Sequence, residues 1–149
     1  MKASDNCINL IKRFEGFYPK PYLCPAGVWT IGYGSTRYAD GRKVKSSDYP
    51  ITERQAIEIM QKTLESYERD VDRYVVSTIN QNQFDALVDF AYNVGSKNLL
   101  NSTLLKKVNL GDKVGAANEF KKWVYANGKK LNGLIARRGA EKELFLKEM

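Results

Sequence analysis

The stretch EGFYPKPYLCPAGVWTIGYG, from Glu15 to Gly34, decides how the rest of the chain is read. Glu15 closes a short amphipathic segment. Pro19 and Pro21 follow, then Cys24 just before a Pro-Ala-Gly turn, then the run from Val28 to Gly34. Proline fixes the backbone and removes a donor, and glycine frees it, so this is a turn-rich strand region and not a helix. Such a region can hold Glu15, Cys24 and Thr30 close together although nine and six residues separate them in sequence.

Upstream, Asp5 is a plausible N-cap for a helix carrying Ile8, Leu10, Ile11 and Phe14 on one face. Glu15 falls at its C-terminal end, where the helix dipole tends to raise a carboxyl pKa, as suits a proton donor; a surface glutamate is the plainer reading. Downstream, Phe17 to about Val44 reads as a small antiparallel sheet, with Asp40-Gly41 as a tight-turn signal. Gly32 and Gly34 would let something approach the backbone closely, or else only relieve crowding.

Thr52 to Gln55 matches a helix capping box, and Ile57, Met60, Leu64, Tyr67, Val71 and Tyr74 then recur every three or four residues, the mark of a long helix. The Tyr67 and Tyr74 stripe reads as core. Asn80 to Gln83 caps a further helix that Gly95 ends, and Ser102 or Thr103 starts a shorter one stopped at Gly111. Asp112 to Trp123 and Asn132 to Lys147 are the last two helices, separated by loop residues Asn127 to Lys130. The expectation is an α+β fold in a single domain, 1–149: a sheet-bearing lobe at about 15–50, a connecting helix at about 52–75, and a helical lobe at about 76–149 packed with the N-terminal helix. A cleft between lobes is a usual place for a site.

Composition bounds the chemistry. The chain has 149 residues, 43% hydrophobic and 28% charged, an ordinary globular balance. A formal charge of +7 favours a polyanionic partner such as nucleic acid, an acidic membrane surface or an acidic wall polymer. With no histidine, Ser-His-Asp and Cys-His catalysis and most zinc sites are removed, and no cofactor is called for. The two cysteines, Cys7 and Cys24, read as free thiols in a reducing cytoplasm. The N-terminal apolar run is too short and broken for a signal peptide or membrane span, so synthesis in the cytoplasm without membrane insertion is expected.

These residues carry a resemblance. Glu15, eight residues, Cys24, five residues, Thr30 resembles the Glu-x8-Asp-x5-Thr arrangement of phage lysozymes, glycoside hydrolase family 24. The TIGYG run (30–34) looks like that family's TIG-x-G strand, and FAYNVG (90–95), STLL (102–105) and GLIARRGAEKELF (133–145) resemble its endolysin branch. The ordered set spans nearly the whole chain. The resemblance implies a lysozyme-like fold and cleavage of the β-1,4 bond between N-acetylmuramic acid and N-acetylglucosamine in peptidoglycan, with lysis of a bacterial host. It implies a monomer, made in the host cytoplasm, that reaches the wall with the help of a separate membrane pore protein. Carried over, Glu15 is the general acid and Thr30 helps place the water. Gly34, Tyr92, Asn93 and Thr103 are candidates for substrate contact by position in the matching motifs.

Cys24 departs from the family pattern, which usually has Asp there. In a two-carboxylate scheme the second group activates water or stabilises positive charge on the sugar. An ordinary thiol, with a pKa of about 8.5, is little ionised at neutral pH. Three readings stay open: a lowered pKa, a weak base or positioning role, or direct attack by a thiolate. The resemblance extends to endolysins with a Glu-Cys-Thr set, so Cys24 reads as a functional variant. It also extends to endolysins that cage a catalytic cysteine in a disulfide, so a regulatory Cys7–Cys24 bridge is an alternative to a buried Cys7 thiol. The rival from another class is a non-catalytic peptidoglycan-binding module. A nucleic-acid binder, using Arg137, Arg138 and Lys142, lacks an aromatic platform or recognition motif. A lytic transglycosylase would need a lone Glu and would release an anhydro sugar.

Overall fold

The computed structural model describes residues 1–148. The element order is helix α1 (Asp5–Glu15), strands β1 (Tyr18–Leu23) and β2 (Trp29–Gly32), helices α2 (Glu53–Tyr74), α3 (Gln81–Val94), α4 (Ser96–Leu100), α5 (Thr103–Asn109) and α6 (Lys113–Glu119), a 3-10 turn (Phe120–Lys122), strands β3 (Tyr125–Ala126) and β4 (Lys129–Lys130), and helix α7 (Asn132–Leu146). This is an α+β arrangement of helices with small antiparallel sheets. The chain divides into two compact units, Ile11–Glu65 and Met1–Leu10 together with the chain from Ser66 onward, so the division falls inside α1 and α2.

In the unit Ile11–Glu65, β1 and β2 pair antiparallel with Tyr18 opposite Gly32, Tyr22 opposite Thr30 and Leu23 opposite Trp29. The register shifts between Tyr18 and Tyr22, where Pro19 and Pro21 have no N–H to give the ladder. After β2 the chain doubles back: Ile31 and Ser35 exchange backbone hydrogen bonds of 2.8 and 2.9 Å. Around Asp40-Gly41 a second turn closes, with Arg37 bridged to Lys43 and the Asp40 carboxylate accepting from the Arg42 N–H at 3.0 Å. Ile11, Ile31, Tyr33, Val44, Ala56, Ile59, Met60 and Leu64 are the buried apolar side chains here. The capping box starts α2 as its sequence implies: the Gln55 N–H donates to Thr52 Oγ1 at 3.1 Å and the Thr52 N–H to Gln55 Oε1 at 2.9 Å.

The other unit is built around α3, buried from Asn82 to Ala91. A reciprocal box of Asn80 and Gln83 caps it, and Gly95 ends it with φ +98°. Ser102 caps α5 and Asp112 caps α6. Phe90 meets Phe120 and Trp123 edge-on at 5.6 and 5.4 Å, and Phe120 meets Phe145 at 5.6 Å, so one aromatic chain ties α3 to α7. Beside it lies a buried charge cluster. Arg137 grips Asp89 with two nitrogens, Nη2 to Oδ1 at 2.8 Å and Nε to Oδ2 at 3.1 Å. Arg138 Nη2 donates to Glu141 Oε2 at 3.0 Å, and its guanidinium sits over the Phe90 ring at 5.0 Å. Burial, and then Asp89, push the Glu141 carboxyl well above the usual carboxylate range, against the pull of Arg138 and Arg137.

Three local expectations need correction. Asp5 does not cap α1 but lies in its first turn; Ser4 precedes the helix, its carbonyl accepting from the Cys7 N–H at 3.0 Å. Residues 127–130 are not a loop: Asn127 and Gly128, with φ 52° and 76°, form the two-residue turn of the β3–β4 hairpin. That pair of positive φ angles matches the strand twist, and Asn-Gly is its preferred sequence. The short helix α4 was not anticipated; five residues with one buried apolar side chain, Leu99, give no period to read. Among the described residues no helix is long and apolar enough to cross a membrane.

Removing one partner of a desolvated ion pair strands the other charge in the core. Arg137→Met therefore leaves Asp89 without its bidentate partner and should cost roughly 3–5 kcal/mol in urea unfolding; an unchanged midpoint would show that the cluster contributes nothing to stability.

Candidate active site

Glu15 is the last residue of α1, half-buried. Gly16 follows with φ +74° and its N–H donates to Lys12 O at 3.1 Å, so the helix stops there with the carboxylate on its final turn. Gly34 then receives that carboxylate. A Cβ built on Gly34 would lie 2.6 Å from Glu15 Oε1 and 3.2 Å from its Cδ, and φ at Gly34 is +81°. Both the left-handed backbone and the missing side chain are needed. What comes close to the glycines of the TIGYG run is therefore known: Glu15 at Gly34, and Ala56 at Gly32, whose built Cβ would be 3.1 Å from the alanine's.

Cys24 and Thr30 stand on the two arms of the β1–β2 hairpin. The loop between them is tied by Cys24 N–H to Val28 O at 3.0 Å and Gly27 N–H to Cys24 O at 2.8 Å. The Cys24 thiol is held below the ordinary thiol range, chiefly by the backbone N–H of Val28. Partial desolvation opposes this, and the amides of Ala26 and Gly27 and the Thr30 hydroxyl add to the lowering. Of the three readings of Cys24, the lowered pKa is the one this environment favours. Thr30 is buried at 3% exposure, and its Oγ1 donates to Val28 O at 2.9 Å. A hydroxyl has one proton, so it serves either that carbonyl or a Cys24 thiolate, not both at once.

Tyr22 was not singled out in the sequence, yet it belongs to this group. It pairs directly with Thr30, so the two side chains share a face of the hairpin, and its ring lies 4.3 Å from that of Tyr18. Burial first, then the charges of Glu15, Tyr18 and Cys24, raise its hydroxyl pKa and keep it neutral. Counting register from Thr30 across the Pro-Ala-Gly turn would have found it.

The remaining candidates lie in the other unit. Tyr92 and Asn93 are consecutive near the end of α3: the Tyr92 ring meets Tyr67 edge-on at 5.6 Å, and Asn93 Oδ1 accepts from Arg138 Nη2 at 2.8 Å. Thr103 is the exposed first residue of α5. Both cysteines are free. Cys7 is fully buried, its thiol pushed up by burial and by Asp89, Asp85 and Glu68. Among the described residues no three His, Cys, Asp or Glu side chains gather as a metal site would require.

Comparison with known proteins agrees with this architecture. The family model described as phage lysozyme matches residues 12–141. An endolysin of Acyrthosiphon pisum secondary endosymbiont phage 1 is 41% identical over 149 residues, covering 97% of this chain and 98% of the relative. An endolysin of Bacillus phage B103 is 42% identical over 148 residues, covering 98% of this chain but 54% of that longer protein. The solved endolysin of Escherichia coli O157:H7 phage FAHEc1 superimposes with a TM-score of 0.89 at 37% identity, over 98% of this chain and 94% of that one. A helix-end glutamate seated on a glycine of the TIGYG turn, on a fold shared with solved endolysins, leaves one conclusion: the chain belongs to the phage lysozyme family.

Proposed function

We propose that this endolysin cleaves the β-1,4 bond between N-acetylmuramic acid and N-acetylglucosamine with Glu15, Cys24 and Thr30 as its catalytic set. The broader activity, lysozyme-type hydrolysis of peptidoglycan leading to cytolysis, comes with family membership. The observation that carries the residue assignment is the seat of Glu15 on Gly34, with the Cys24–Thr30 pair on the adjoining hairpin.

Glu15 is the general acid: its carboxyl proton passes to the glycosidic oxygen as the C–O bond breaks. Positive charge develops on the sugar ring. Cys24, as a thiolate, supplies the negative group that a second carboxylate gives elsewhere in the family and takes the proton of the attacking water, whose oxygen bonds to the sugar carbon. Thr30 orients that water and stabilises the thiolate by turning its one proton from Val28 O to sulfur. Tyr22, kept neutral, closes the wall of this group without competing for its charge. Gly34 holds Glu15 in place, and Tyr92, Asn93 and Thr103 contact the substrate. The +7 charge draws the monomer to the anionic wall, an attraction that weakens with salt. The protein is made in the host cytoplasm and reaches the wall through a separate membrane pore protein. The reading as a non-catalytic wall-binding module is not favoured, since the thiol at position 24 sits where its ionisation is promoted.

Reducing-end release from purified peptidoglycan tests the set. Glu15→Gln should lose roughly 10²–10⁴-fold in rate, and Cys24→Asp should keep activity that Cys24→Ser loses. Binding to the wall with no release by the wild type would return the binding-module reading. A second check follows the thiol directly. The pH midpoint for alkylation of Cys24 by iodoacetamide should fall below that of an unstructured cysteine peptide, and Thr30→Val should move that midpoint upward; an unmoved midpoint removes Thr30 from the thiolate's support. Gly34→Ala should destabilise the fold by about 1–2 kcal/mol through its left-handed backbone and, by displacing Glu15, depress turnover below what thermal denaturation alone predicts.

A further inference from the structure

The unit from Ser66 onward turns a corner between two short helices. Helix α5 ends at Asn109, Gly111 follows with φ +79°, and α6 begins at Lys113. Leu110 and Val114 stand on this corner, 81% and 67% exposed. The segment after α2 lies against it: the Val76 N–H donates to Asn109 Oδ1 at 2.8 Å, and Ser77 Oγ donates to Val108 O at 2.7 Å. Val76 is itself 79% exposed. Exposed aliphatics scattered singly are ordinary, but three on one corner make an apolar patch.

Cations frame the patch. Lys106 and Lys107 lie in the last turn of α5, and Lys113 opens α6. Residues 96–131 hold eight lysines against two carboxylates, Asp112 and Glu119, so six of the net +7 charges fall in about a quarter of the chain. Both carboxylates are engaged within the fold. Asp112 Oδ1 accepts from the Gly115 N–H at 2.9 Å as the cap of α6, and Glu119 is buried and paired with Lys122.

An anionic polymer would need the lysines alone. A single-stranded nucleic acid would call for aromatic faces on which bases stack, and this corner presents valine and leucine. An aliphatic tip inside a frame of lysines suits the interface of a bilayer. The methyl groups enter the acyl boundary, while the lysine stems run along apolar surface and keep their ammonium groups at the phosphates. Binding of this kind sums the apolar area buried and the attraction to anionic lipid, and both contributions are present here. A corner of this size dips into the interface and does not span it.

We propose that the corner between α5 and α6 is a docking surface for an anionic phospholipid bilayer. The protein rests on it peripherally, with Leu110, Val114 and Val76 in the interface and Lys106, Lys107 and Lys113 on the phosphates. The surface shares no residue with the Glu15 group, so it stands or falls apart from the catalytic assignment.

Co-sedimentation of the full chain with phosphatidylglycerol vesicles should show saturable binding that falls at high salt, and phosphatidylcholine vesicles should leave the protein in the supernatant. Lys106→Gln combined with Lys113→Gln should weaken binding about 30-fold, roughly fivefold for each cation. Leu110→Ser should weaken it about tenfold through the lost apolar contact. These positions are exposed, and unchanged thermal midpoints would show that the variants keep the fold. In Leu110→Trp, phosphatidylglycerol brominated on its acyl chains should quench emission beyond any quenching of the native Trp29 and Trp123. Absence of binding overturns the proposal. So does binding that Leu110→Ser leaves unchanged, or a Leu110→Trp variant that brominated chains do not quench, since either reduces the corner to a charged face. Self-association without vesicles that Leu110→Ser abolishes would overturn it in favour of a second copy of the chain.

Discussion

The buried contact between Arg137 and Asp89, with Arg138 and Glu141 beside it, is the constraint on which the larger unit turns. Two guanidiniums and two carboxyl groups meet inside a core that also holds Phe90, Phe120 and Phe145. Desolvating four such groups is costly, and the cost is met only when each finds its partners in one geometry. The quartet therefore fixes the register of α7 on α3 more sharply than aromatic packing could. From that register Arg138 reaches Asn93 and sets which end of its carboxamide points away. A core interaction thus specifies the chemistry of a surface.

The smaller unit works by the opposite means, an absence of side chain in place of an excess of charge. Gly34 and Gly32 each accept a close neighbour, and their positive φ angles turn the chain so sharply that Ile31 can pair with Ser35. Glu15, at the end of a helix, and Thr30, in a strand, are thereby brought into a single unit with Cys24. The hairpin amides that lower the Cys24 pKa are ordinary N–H groups of the turn from Cys24 to Val28, which converge on the sulfur because the chain reverses there.

Much of this was legible in the sequence because its signals are local. Thr52 and Gln55, Asn80 and Gln83, and Ser102 each announce a helix start through bonds that span three residues. The order of Glu15, Cys24 and Thr30 with the TIGYG run gave both the sheet region and the family. The parts that escaped depend on information a window does not contain. The role of Ser4 ahead of α1 was hidden by Asp5, an equally good capping residue one position on. Asn127-Gly128 is a strong hairpin signal, but strands of two residues offer no alternation to support it. Tyr22 joins the site through cross-strand register, and the partner of Gly34 lies nineteen positions back along the chain. Neither contact is encoded in the residues next to it.

The unequal surroundings of the two thiols also set how the protein ages. Cys7 is sealed in the core among carboxylates that keep it protonated, and it is inert to oxidants that need a thiolate. Cys24 is partly accessible and its thiol is held below the ordinary range, so of the two thiols it is the one open to oxidation. Outside a reducing compartment oxidation therefore begins at position 24 and leaves the sealed core thiol untouched.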